Sequence, residues 1–256
     1  MGKRVRVIPV LLIYKNGLTK TIKFKQHKYV GDPINAVKIF NEKEVDEIVV
    51  LDISATNENR GPDIKLISDI ASEAFMPLAY GGGIRTLEEI KALINCGVEK
   101  IVLNTSAVVN PVLLKDASEW IGSQSLVVSI DVKKNIFGKY KVYSHNGRRN
   151  TGIDPVVFAI KMAKSGVGEI YLNSIDLDGT FGGYDLELIK AVSSAVSIPV
   201  VALGGARGID DFSNAIQSGA SAVAAGSLFI FQMPHRAVLI SYPSEDELKQ
   251  KLFHNL

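Results

Sequence analysis

Tyr80-Gly81-Gly82-Gly83-Ile84-Arg85 returns in altered form as Leu203-Gly204-Gly205-Ala206-Arg207-Gly208. Gly82 and Gly204 stand 122 positions apart, close to half of the 256 residues. In each copy an apolar run (Phe75 to Tyr80, Ile198 to Leu203) ends in glycines and an amphipathic helix pattern follows. Backbone N–H groups without Cβ atoms, just past a strand end, make a concave cradle suited to a phosphate. Glycines at such a place also serve simply to shape a tight turn. Their recurrence at a half-chain offset favours the cradle and points to an internal repeat.

Working outward, short β-branched runs alternate with helical patterns. Val5 to Leu12 is the first run, followed by the turn Lys15-Asn16-Gly17 and a polar stretch from Lys20 to Gly31. Asp32-Pro33 is a helix start. Further runs at Ile48 to Asp52, Phe75 to Tyr80, Ile101 to Asn104, Leu126 to Asp131, Ile170 to Asn173, Val200 to Leu203 and Ala222 to Ala225 bring the count to eight. Between them a helix is expected over Ile64 to Phe75, and another over Leu87 to Cys96, closed by Gly97. Eight strands separated by helices predict a single α/β domain over residues 1–256, a (β/α)8 TIM barrel with a half-barrel repeat, and place any site at the C-terminal strand ends.

Composition narrows the function classes. A net charge of +2 with scattered lysines gives no electrostatic case for nucleic acid. Apolar runs stop well short of the ~20 residues that cross a bilayer. With Cys96 as the only cysteine and no signal-peptide pattern after Met1, the chain reads as cytoplasmic and soluble. His27, His145, His235 and His254 show no metal-ligand spacing, so neither a metal nor another cofactor is expected.

The repeat reaches beyond the glycines. Asp46-Glu47-Ile48-Val49-Val50-Leu51-Asp52 matches Gly168-Glu169-Ile170-Tyr171-Leu172-Asn173-Ser174, and Asn104-Thr105-Ser106 matches Gly226-Ser227-Leu228. Gly82 and Gly83 with Asn104 and Thr105 would form one cradle, and Gly204 and Gly205 with Gly226 and Ser227 the other, so the mouth would take a long ligand with an anion at each end. Aligning Val10-Leu11-Leu12-Ile13-Tyr14-Lys15-Asn16 with Ser129-Ile130-Asp131-Val132-Lys133-Lys134-Asn135 puts Leu12 opposite Asp131. Two facing aspartates could divide acid and base duties, but only Asp131 is present. Asp131 is the catalytic candidate; capping the next loop is the other use such a residue has. Asp52, Asp176 and Asp178 also fall at strand ends. Arg148-Arg149-Asn150-Thr151-Gly152 reads either as a basic turn or as a lid.

Arg6-Val7-Ile8-Pro9, Gly31-Asp32-Pro33, Leu51-Asp52-Ile53, Gly81-Gly82-Gly83-Ile84, Asn104-Thr105, Asn173-Ser174-Ile175-Asp176-Leu177-Asp178-Gly179-Thr180 and Gly204-Gly205-Ala206 together resemble the cyclase subunit of imidazole glycerol phosphate synthase, over residues 3 to 230 or so. The resemblance implies a (β/α)8 barrel that takes ammonia from a glutaminase partner and uses it to split a doubly phosphorylated substrate and close an imidazole ring. It implies Asp131 and the loop lysine Lys20 as catalytic groups, and Asp178 and Gly179 among the phosphate-binding residues. Arg6, Glu47, Lys100 and Glu169 are implied as a charged ring where ammonia enters, with Glu99 at the partner interface. The family's strand-one aspartate is replaced by Leu12, which cannot transfer a proton. The runs Leu18-Thr19-Lys20-Thr21-Ile22-Lys23-Phe24-Lys25 and Pro234-His235-Arg236-Ala237-Val238 are similar to a branch associated with acetamidino sugars of surface polysaccharides. In that branch the barrel would pass ammonia to a third, amidotransferase protein, with a phosphorylated or nucleotide-sugar small molecule in the mouth. An authentic cyclase and a non-catalytic activator of the glutaminase are the alternatives.

Overall fold

In the computed structural model, which describes residues 4–255, eight parallel strands close on themselves: β1 (Val7–Tyr14), β2 (Ile48–Asp52), β3 (Leu78–Gly81), β4 (Lys100–Leu103), β5 (Leu126–Lys134), β6 (Glu169–Ser174), β7 (Val200–Leu203) and β8 (Ala222–Ala225). Each pairs with the next, and β8 pairs back onto β1 with Val7 opposite Val223. Helices alternate with the strands around this closed sheet, so the chain is a (β/α)8 barrel.

The strands are apolar on both faces because both are covered. In β1, Ile8, Val10 and Leu12 face the barrel interior, while Val7, Leu11 and Ile13 face the helical layer. Apolar contacts alone would therefore tolerate a one-residue slip, which exchanges the two faces. Polar residues remove the ambiguity: Glu47, Glu169, Asp131 and Asn173 point inward, and a slip would drive them unpaired into the apolar layer under the helices.

The helices start where their caps allow. Asp32 accepts from the Asn35 N–H at 2.9 Å ahead of helix Pro33–Glu42, with proline at the first turn. Thr86 and Glu89 form a reciprocal capping box on helix Leu87–Asn95. The helix expected over Ile64 to Phe75 ends at Ser72, leaving Phe75 exposed ahead of β3.

The half-barrel repeat is visible at β1 and β5, the two strands that continue into antiparallel extensions. After β1 the chain turns at Lys15 and Asn16, both at positive φ, and returns as Gly17–Ile22 paired with Lys25–Gly31. The polar stretch after Lys20 is thus a β-hairpin rather than an open loop. β5 runs three residues past Asp131 and folds back as Tyr140–Ser144, against which Arg149–Asn150 pairs, so the basic segment is a strand edge. Among the described residues no helix is long and apolar enough to cross a membrane.

Candidate functional site

The C-terminal ends of the strands open into one pocket bordered by Leu12, Lys20, Asp131, Asn173 and Asp178 and by both glycine turns. Leu12 on β1 and Asp131 on β5 come from opposite walls, since β1 and β5 are four strands apart in an eight-stranded barrel. The leucine thus presents its side chain to the mouth where an acid facing Asp131 would stand.

Lys20, Asp131 and Asp178 in this mouth have proton affinities that desolvation moves toward neutrality. Asp131 accepts from Asn104 Nδ2 at 3.1 Å and Asn173 Nδ2 at 3.2 Å. Burial pushes its carboxyl up to about 7, opposed by the Asn173 hydrogen bond and assisted by the charge of Asp178. Lys20, on the returning strand of the first hairpin, folds inward and donates from Nζ to the Val10 carbonyl at 2.5 Å. Burial lowers its amine to about 7, against the pull of Asp178. Asp178, on the loop after β6, accepts from Thr21 Oγ1 at 3.3 Å and is raised to about 6 by burial, with Lys20 opposing. Near neutral pH all three can exchange protons, so the mouth holds an acid–base group despite Leu12. The side-chain amide oxygen of Asn173, Oδ1, is buried without a partner, an acceptor open to a ligand donor.

Both glycine turns have the backbone shape that only glycine holds easily. Gly82 and Gly83 lie at φ +125° and +73°, Gly204 and Gly205 at +85° and +111°. A Cβ at Gly82 would run into the Asp52 carbonyl, and one at Gly205 into that of Gly183. Beside the first turn, Asn104 is tied to Asp131 and the Ser129 carbonyl, and the Thr105 hydroxyl is already engaged by Asn104 and the His145 N–H. At the first cradle, then, any anion would meet mainly backbone. Beside the second turn, Gly226 opens directly on Lys20: a Cβ there would come within 2.7 Å of Nζ. Gly226 therefore leaves room for the Lys20 amine beside the second cradle. Gly179 packs on the Thr21 carbonyl and holds the loop after β6 against the first hairpin. The Asp178 carboxylate carries the wrong sign for a phosphate ligand and faces Lys20 instead.

Two other strand-end acids have structural work. Asp52 accepts from Ser54 N–H at 2.9 Å and Ala55 N–H at 3.1 Å and pairs with Arg60 at 2.7 Å. Asp176 accepts from the Lys134 N–H at 2.9 Å, pinning the β5 extension. Cys96 lies part-buried beside Gly97 with its thiol donating to the Leu93 carbonyl. Among the described residues no group of three or more His, Cys, Asp or Glu could hold a metal ion.

At the opposite end, Arg6, Glu47, Lys100 and Glu169 meet. Lys100 Nζ lies 2.7 Å from Glu47 and 2.9 Å from Glu169, and Arg6 bonds the same two carboxylates. The alternating charges close a ring across the N-terminal opening. Burial works against the Arg6 charge, but Glu169 and Glu47 outweigh it and hold the guanidinium above its ordinary range. Glu99 is exposed next to Lys100 on this face. Sequence reasoning did not single out Tyr171 or Asn173. The signal was the alternation Glu169, Tyr171, Asn173, which puts all three inside the barrel.

The histidine biosynthesis protein family model matches residues 6–234. A Pseudomonas aeruginosa protein provisionally named imidazole glycerol phosphate synthase subunit hisF2 is 50% identical over 96% of this chain and 98% of its own. A Leptospira interrogans protein provisionally named imidazole glycerol phosphate synthase subunit HisF is 47% identical over 97% and 98%. The imidazole glycerol phosphate synthase subunit HisF of Endomicrobium trichonymphae is 48% identical over 89% and 88%.

Proposed function

Because the chain belongs to the histidine biosynthesis protein family, we propose that it is the synthase subunit of a glutaminase-coupled complex, passing ammonia from floor to mouth for the formation of an amidine on a surface-polysaccharide sugar. The carrying observation is Leu12. It faces the mouth from the wall opposite Asp131, where ring closure by a facing acid pair would need a carboxyl. The floor supports the other half of the reading: four charges of alternating sign guard the end of an apolar barrel interior, and Glu99 stands exposed beside them for the glutaminase. Ammonia that leaves the mouth is taken by a third protein, which activates the amide oxygen of an acylated amino sugar with a phosphoryl or nucleotidyl group from a nucleoside triphosphate. Ammonia adds to the amide carbon, and the oxygen departs on that phosphate as the amidine forms. The two glycine cradles hold phosphates of a phosphorylated or nucleotide-sugar ligand, with Lys20 beside the second.

A second reading, an authentic cyclase, draws on Asp178. Its carboxyl, raised to about 6, leans toward the hairpin that leaves β1 and so stands on the side where Leu12 lacks one. One experiment separates the two. The purified barrel is given ammonium and the doubly phosphorylated cyclase substrate, as wild type and as Leu12→Asp. The first reading expects no ring closure by the wild type and its appearance in the variant. Robust ring closure by the wild type overturns it in favour of the second.

A further inference from the structure

Tyr171 is the largest side chain of the barrel's interior layer, whose other members include Ala79, Ala222 and Ala224. It is 1% exposed and rises from β6. Its hydroxyl nevertheless donates to Glu47 Oε1, at 2.7 Å, and Glu47 immediately precedes β2. Because β6 and β2 are four strands apart in a closed barrel of eight, they form opposite walls. A side chain rooted in one wall and bonded to a residue of the other crosses the axis. Tyr171 also borders the mouth pocket, so its phenol ring lies between the charged floor and the open end.

The hydrogen bond ties this crossing to the floor. Glu47 Oε2 receives Arg6 and Lys100, and Oε1 receives Tyr171, so a single carboxylate holds the charged ring and the phenol together. Any movement of Lys100 or Arg6 that frees Glu47 also loosens the phenol. Burial and the charges of Glu47 and Glu169 keep the hydroxyl protonated, and therefore a donor.

We propose that Tyr171 is the shutter of the barrel axis: a small neutral molecule moving between floor and mouth passes only when the phenol swings away from Glu47. This rests on the ammonia passage proposed above, with Tyr171 as a positioning residue that contributes no chemistry of its own. The shutter differs from the ring of charges beneath it, which sorts by charge. A phenol ring on the axis sorts by size and opens by rotating its side chain.

Two measurements test it. First, crystals of the chain alone are put under xenon, an apolar probe of dry cavities. Xenon is expected on the axis at the level of Ala79 and Ala222 in Tyr171→Leu and absent there in the wild type. Xenon beside an unmoved Tyr171 in the wild type overturns the shutter. Second, the complex with its glutaminase is assayed for product nitrogen drawn from glutamine and from added ammonium, which reaches the mouth from outside. Tyr171→Leu is expected to raise the glutamine-to-ammonium ratio, and Tyr171→Trp to lower it, each by about tenfold. Tyr171→Phe keeps the ring but loses the tether, and its ratio should move in the direction of leucine. A change of both rates by one common factor in all three variants overturns the shutter, because a merely structural role lowers them together. If the wild type draws no nitrogen from glutamine, the function proposed above fails, while the xenon result still decides the shutter.

Discussion

Lys20, Asp131 and Asp178 share one mouth, and desolvation moves all three toward neutrality, which makes the stability of the free chain depend on pH in an unusual way. Asp131 and Asp178 have folded values of about 7 and about 6, above the 3.8 of a free aspartate. Between about pH 4 and 7 the native chain binds more protons than the unfolded one, so their contribution is lost as pH rises through that window. Lys20 runs the other way: folded near 7 against 10.5, it is a stability contribution lost as pH falls toward 7. Thermal melts of the ligand-free chain from pH 5 to 9 should show a minimum near neutrality, about 1–2 kcal/mol below the flanks. Lys20→Met should erase the alkaline rise; a flat wild-type profile would contradict the desolvated cluster. In the Leu12→Asp background, where ring closure is expected to appear, adding Asp131→Asn should lower that rate by ~10²–10⁴ with the melting temperature little changed. Steady-state rates and melts on the same preparation check both parts.

The glycine turns act at the level of the βα unit. A turn that must bring backbone to an anion cannot carry a Cβ, and at Gly205 there is no room for one: it would strike the Gly183 carbonyl at φ +111°. Gly205→Ala should cost about 1–3 kcal/mol and weaken phosphate binding at the second cradle. Gly208, three residues on, is extended with open space around it, so Gly208→Ala should be close to neutral. Denaturant midpoints and phosphate titration by calorimetry compare the two. Equal effects would mean that the turn is not shaped by the glycine at all. The two extensions are the other element-scale feature. The first hairpin carries Lys20 into the mouth, and the β5 extension is pinned by Asp176, so the same topological addition serves different ends in the two halves.

Across the whole barrel, the floor and the mouth are joined by the interior layer. The charged ring gathers residues from strands all around the closed sheet, and removing one member leaves its partners with buried, unmatched charge. Glu169→Ala should destabilise by about 2–4 kcal/mol, less than a fully buried pair would cost because the Arg6 side chain is 33% exposed. Chemical unfolding measures the loss. A value near zero would mean that solvent screens the ring and that it does not bar the opening to ions.

The barrel and its two halves were legible along the chain, because strand and helix periods, caps and glycine turns are local and repeat. Glu47 and Glu169 were expected at the floor from the family resemblance, and Asp131 at the mouth from the half-barrel repeat; their burial inside the closed sheet is what the structure adds. The burial of Lys20 was not legible. A lysine in a run with three others reads as solvated, and only the hairpin's return over β1 folds it against the Val10 carbonyl. The raised proton affinities of Asp131 and Asp178 likewise depend on desolvation, a property of everything packed around them. Tyr171 is the clearest case. Its position inside the barrel follows from alternation, but its reach to Glu47 exists only after the sheet closes and puts β2 and β6 on opposite walls. Local propensity and pattern wrote the elements. Closure of the sheet decided which distant side chains meet, because those contacts depend on distances through space.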